Sequence, residues 1–158
     1  QAIHVPTVVD ADALYAIGQQ RSDNYSYRDT FVLTPHDAEY RHLTGHKPEK
    51  DRVSDVRDAA KKLNATILLK GPATVIAHPN GRCFIVNNGD QRLATAGTGD
   101  VLSGIIGGLL SRGVAPFEAA AAGAWLHAEA AKRCSSNGMI ASDIINALPE
   151  VLCETDMG

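Results

Sequence analysis

Aromatic residues make up only 5% of the 158-residue chain, with one tryptophan, Trp125, so few flat side chains exist on which bases could stack. Excess positive charge is missing too. Fifteen lysines and arginines against eighteen acidic residues leave a formal net charge of -3, with no basic stripe, and nucleic acid is excluded as the expected partner. Long apolar runs are also lacking. The longest, Val101 to Leu110, is half a membrane span and is broken by glycines and a serine, and the first residues show no signal-peptide pattern. The reading is a cytoplasmic protein with no membrane contact. Cysteine is scarce: Cys83, Cys134 and Cys153 are odd in number, far apart and outside any C-x-x-C pair, which points to reduced thiols rather than a disulfide framework or zinc knuckle. His42 and His46 are four apart, but Gly45 is expected to end the helix between them, so no metal site is assigned.

What remains is a composition, 44% hydrophobic and 21% charged, that suits a single domain over residues 1–158 with a sizeable core. "VPTVVD" (Val5 to Asp10), "TFVLT" (Thr30 to Thr34) and "TILLK" (Thr66 to Lys70) read as buried strands separated by helical patterns, the alternation of an α/β fold with a parallel sheet. Thr34 is expected to cap a helix beginning at Pro35 and ended by Gly45; Val53, Val56, Ala60 and Leu63 mark one face of the next. "VIAHPNGRCFIV" then places two alternating runs around Asn80-Gly81, an antiparallel hairpin beside the parallel strands. The remainder is helical: one helix after Asp100 to Gly113, one from Pro116 to about Arg133, and one capped by Ser142. Trp125 reads as core, and His127 and Glu129 as lying on the polar or packing face of the alanine-rich helix.

The stretch "ATAGTGDVLSGIIGGLL" carries the chemistry. A loop ending G-T-G at a helix start offers unpaired backbone N–H groups and the positive end of the helix dipole, a cradle for an anion. Asp100 beside it would repel phosphate unless it takes a proton from an attacking hydroxyl. The bland alternative makes Asp100 an N-cap and assigns Gly104, Gly107 and Gly108 to close helix packing. His36 has a similar alternative as an exposed turn residue, and Lys70 as the solvated end of a strand.

"VVDADAL", "VLTPHDAEYRHLTG", "LLKGPATVIAHPNG", "LATAGTGDVLSGIIGGLLSRGVAPFEAAAAGAWLHAEAA" and "ASDIINALPEVL" together resemble the NAD(P)H-hydrate dehydratases, over nearly the whole chain. The resemblance implies a ribokinase-like fold and the ADP- or ATP-driven loss of water from the S-epimer of NADHX or NADPHX, by phosphoryl transfer to the hydrate hydroxyl and elimination of phosphate. It implies Asp100 as the catalytic acid-base group and hydrate contact, with His36 also lining the hydrate site. It assigns Lys70, Gly71, Pro72, Ala73, Thr74 and Gly99 to the nucleotide, and Ala96, Gly97, Thr98 and Gly99 to the anion hole, approached from Asn87. Mg2+ is implied by the phosphate chemistry, with no dedicated ligand legible. Asp90, Gln91 and Arg92 depart from the asparagine, proline and small residue of many relatives. Ribokinase-like domains are usually longer than this chain, whose first strand resembles the middle of their sheet, so an unpaired sheet edge is expected, covered in a homo-oligomer or by an N-terminal part of the domain. Two other readings stay open: a small-molecule kinase of the same fold acting on a vitamin precursor, and a nucleotide-binding subunit without catalysis.

Overall fold

A computed structural model describes residues 5–19, 29–135 and 137–156. Three parallel strands, β1 (Thr7–Val9), β2 (Phe31–Leu33) and β3 (Thr66–Leu69), continue into the antiparallel pair β4 (Thr74–Ala77) and β5 (Cys83–Val86), in the spatial order β1-β2-β3-β4-β5. Among the described residues β1 therefore lies at one edge of the sheet, as expected from the sequence. Every residue of β3 is buried, because helices cover both faces and successive side chains point to opposite sides.

On one face Val9, Leu33, Ile67, Leu69 and Val75 pack against α1 (Asp12–Gln19), α2 (Asp37–Thr44) and α3 (Arg52–Leu63). The other face, with Val32, Leu68, Ile76 and Val86, meets α4 (Thr98–Ser111) and α5 (Pro116–Arg133). A third cluster, including Val101, Leu126, Ile144 and Val151, adds α6 (Ala141–Asp156). In α3, Val56 and Ala60 are buried and Val53 and Leu63 pack beside them, the face expected from their spacing.

Local signals and structure differ at five places. Thr34 does not cap α2; its buried hydroxyl donates to the Val9 carbonyl, and His36 is the cap. The helix consequently starts at Asp37, not Pro35, while Gly45 ends it in the left-handed region as expected. Ser142 lies inside α6, where the Asp143 carboxylate takes the capping role by accepting from the Ile140 N–H. The hairpin closes on the His78–Arg82 pair, so its loop holds Pro79 as well as Asn80 and Gly81, with Gly81 at φ 91°; a left-handed residue in such a loop favours glycine. Trp125 is 37% exposed, since the buried face of α5 runs through Ala120, Gly123, Ala124, His127 and Ala131 on the opposite side. The close approach of α4 and α5 also has another origin than expected. A Cβ on Gly104, Gly107 or Gly108 would meet nothing, whereas one on Gly123 would lie 2.7 Å from Ile106.

Candidate functional site

Parallel strands deliver their C-terminal ends to one rim, where open α/β sheets bind ligands. Here that rim gathers Asp10 after β1, Thr34 to His36 after β2 and Lys70 after β3. Backbone bonds from Thr34 N–H to the Val9 carbonyl and from Lys70 N–H to the Pro35 carbonyl keep these segments in register beyond the strands. The Lys70 ammonium donates to Asp10 Oδ1 at 2.9 Å and lies 3.7 Å from Glu39 Oε2. Ser103 of α4 donates to the other Asp10 oxygen at 2.9 Å. Burial alone would push the Asp10 carboxyl up, but the bond and charge of Lys70, with the Ser103 and Thr34 hydroxyls, hold its pKa below the ordinary 3.8.

His36 stands at the same rim. Its Nδ1 accepts from the Ala38 and Glu39 N–H groups, and Glu39 Oε2 accepts from the His36 N–H at 2.7 Å, a reciprocal box at the helix start. With Nδ1 accepting, these bonds assign the ring proton to Nε2, which lies 3.5 Å from Glu39 Oε1 on a half-exposed side chain. Glu39, 6% exposed, thus joins His36 to Lys70.

Across the rim stands the N-terminal turn of α4. Gly97 is its N-cap at φ 86°, with no side-chain cap bond, and a Cβ there would press on Ala141 at 3.2 Å. Thr98 Oγ1 donates back to the Leu93 and Thr95 carbonyls. Gly99 faces the charged cluster: a Cβ would sit 3.7 Å from both Asp10 Oδ2 and Lys70 Nζ. That is ordinary contact, so the protein itself leaves room for a side chain and the glycine keeps the backbone open for something else. Asp100 follows, exposed, as the third helical residue; the N-cap alternative for it does not hold.

The segment Lys70 to Thr74 runs from this rim into β4. Arg52, first residue of α3, donates one Nη to the Lys70 carbonyl at 3.1 Å while both Nη groups bind the Asp37 carboxylate. It therefore ties the Lys70–Gly71 backbone to the residue after His36. Facing this segment, Asn88 donates to Glu129 of α5 at 2.6 Å, and the space above Gly89 is bounded by the Pro72 carbonyl. His127, 6% exposed, sits beside the Thr98 backbone, and among the described residues its Nε2 has no hydrogen-bond partner.

Lys70, Gly99, Asp100 and His36 thus share one rim, while Asn87, Pro72 and Ala73 lie on the loops beside it. Sequence reading did not assign Asp10, Glu39, Ser103 or Arg52 to this rim. An acid directly after a buried strand, and a glutamate three residues after His36, were the available signals.

The chain matches the sequence model of the family described as NAD(P)H-hydrate dehydratase over residues 1–150. It is 41% identical over 145 residues to the ADP-dependent (S)-NAD(P)H-hydrate dehydratase of Neisseria meningitidis, covering 89% of this chain and 49% of that protein. It is 43% identical over 157 residues to the bifunctional NAD(P)H-hydrate repair enzyme Nnr of Moorella thermoacetica, covering 95% of this chain and 30% of that one. The ADP/ATP-dependent NAD(P)H-hydrate dehydratase of Bacillus subtilis, co-crystallized with ATP/Mg2+, superimposes with a TM-score of 0.82 at 31% identity, over 94% of this chain and 56% of that one. The chain spans about half or less of the length of both sequence relatives. Its fold is ribokinase-like, and by the residues matched and the rim they build, it belongs to the NAD(P)H-hydrate dehydratase family.

Proposed function

We propose that the rim carries the nucleotide-dependent dehydration of (S)-NADHX or (S)-NADPHX, and that Asp100 is its general base. The observation that carries this reading is the open first turn of α4: Gly99 without a side chain, a helix start that no side chain caps, and an exposed carboxylate next in the chain. Helix amides hold the transferred phosphoryl group without a basic side chain. Asp100 accepts the hydroxyl proton as the hydrate oxygen bonds to the terminal phosphorus, and the bond from that phosphorus to the nucleotide's bridging oxygen breaks. Phosphate then leaves with the C–O electron pair, and loss of a proton from the adjacent carbon restores the double bond. Hydroxide is a much poorer leaving group.

Lys70 to Thr74 would hold the adenylate and His36 would offer its Nε2–H to the hydrate. The relatives' descriptions, ADP-dependent in one and ADP/ATP-dependent in another, support an adenine nucleotide as donor. Asp10 and Glu39 are both engaged by Lys70, so they form no bare carboxylate pair for a divalent ion. Mg2+ would ride on the nucleotide phosphates and supply charge neutralisation there. Association with a second copy or with an N-terminal part of the domain would cover the β1 edge; among the described residues no helix is long and apolar enough to cross a membrane.

The test is incubation with NADHX and ADP or ATP, following recovery of the reduced-nicotinamide absorbance together with release of phosphate. Stoichiometric recovery supports the reading. A stable phosphorylated product instead identifies a kinase, and nucleotide binding without turnover a non-catalytic subunit.

A further inference from the structure

The loop leading into α4 is held by a pair of residues that the catalytic reading leaves unused. Asp90 caps a short 3-10 turn, Gln91–Ala94, by accepting from the Arg92 N–H. The Arg92 guanidinium returns to the same carboxylate through two bonds, Nε to Oδ1 at 2.9 Å and Nη2 to Oδ2 at 3.1 Å. Its remaining arm, Nη1, donates to the Cys134 and Ser135 carbonyls, at 2.9 and 3.1 Å, at the C-terminal end of α5. A cation there also meets the negative end of the α5 dipole. The side chain is 20% exposed. From Arg92 the chain reaches the α4 turn in a few bonded steps: Thr95 N–H donates to the Arg92 carbonyl, and Thr98 donates to the Leu93 and Thr95 carbonyls.

We propose that Arg92 is a positioning residue for the 95–99 loop: with Asp90 it sets the 3-10 turn and pins it to the end of α5, so that the amides of the anion cradle are fixed before any ligand arrives. The geometry supports a role in preorganisation rather than in ligand contact, since its hydrogen-bonded arms are all turned to Asp90, Cys134 and Ser135. Its kinetic consequence rests on the dehydratase reading; its consequence for the loop does not.

The experiment compares Arg92→Ala, Asp90→Asn and the double variant Arg92→Ala with Gln91→Pro. Gln91 is the first residue of the turn, and Asp90 before it has φ -119° and ψ 149°, a conformation that a following proline favours, so proline stiffens the same turn by another route. Two readouts are taken: ligand-free hydrogen–deuterium exchange of amides 93–99, and kcat and the KM for ADP in NADHX turnover. Arg92→Ala is expected to speed exchange across 93–99 by about tenfold, the loss of charge-assisted bonds at a partly wet site, with β3 amides unchanged and KM for ADP raised more than kcat is lowered. Asp90→Asn, which keeps a capping oxygen but loses the charge, gives a smaller increase. Gln91→Pro restores most of the protection and of KM. Unchanged exchange in Arg92→Ala overturns the proposal, as does a proline variant that restores nothing. If the parent protein turns over no NADHX, the dehydratase reading fails and the exchange data still decide this one.

Discussion

The Lys70 ammonium sits 2.9 Å from the Asp10 carboxylate although sixty positions separate them in the chain. This pair joins the ends of β3 and β1 and, through Ser103, the first turns of α4. Asp10→Asn removes the nearer carboxylate charge from Lys70 and leaves it the longer contact to the Glu39 carboxylate. The expected loss is about 2 kcal/mol, below the ~3–5 of a fully buried pair because side-chain exposures of 14% and 24% leave it partly wet. Because the folded-state pKa of Asp10 is depressed, this stability is present above the ordinary carboxylate value and fades as pH falls below about 4. Urea unfolding of both proteins across the acid range checks it; parallel curves with no gap at neutral pH would contradict it.

His127 gives a second pH dependence in a different window. Burial pushes its pKa down to about 4 from 6.5, against a smaller upward pull from the Thr98 backbone. An unfolded chain takes up this proton as pH falls through 6.5 while the folded chain stays neutral to about 4, so stability rises with pH across that interval. About 3 kcal/mol is expected to be lost on going from pH 7 to pH 4. His127→Phe flattens this part of the stability–pH curve measured by urea unfolding. The same slope in the variant would assign the dependence to other groups.

Much of the architecture is legible in local pattern because local physics sets it. The alternation of buried strands with helices, the Val53 to Leu63 face and the Asn80-Gly81 hairpin all rest on neighbours in sequence. Capping was less legible: Thr34 has the right hydroxyl for a cap, but the adjacent β1 backbone captures it, and His36 is left to take the role. Trp125 misled because bulk is an average guide to burial, whereas helical phase decides it. At the rim, G-T-G-D by itself left an anion cradle and a plain helix start both open, and Asp10 and Glu39 act through Lys70, a contact that no spacing rule reveals.

Gly71 marks a close approach whose cause is now identifiable. A Cβ there would lie 2.8 Å from an Arg52 Nη, the atom that binds the Lys70 carbonyl. Gly71→Val is expected to displace Arg52 and weaken nucleotide affinity by about tenfold or more, roughly 1.4 kcal/mol, while the β4–β5 hairpin stays folded. Calorimetric titration with ADP measures it. Because the clash is with Arg52, the additional loss caused by Gly71→Ala shrinks in an Arg52→Ala background; equal losses in both backgrounds would separate the two residues.

Asp100→Asn tests the central claim most directly, with dehydratase turnover, ADP affinity and melting temperature measured on the same variant. Asparagine keeps the size of the side chain and Gly97, not Asp100, is the cap of α4, so the fold is expected to persist. Removing a negative charge beside bound phosphate leaves nucleotide affinity equal or slightly tighter. Turnover falls by roughly two to four orders of magnitude, the range for loss of a general base. Turnover within a few-fold of the parent enzyme, or a loss of rate matched by a loss of melting temperature, would contradict the assignment of Asp100 as the base.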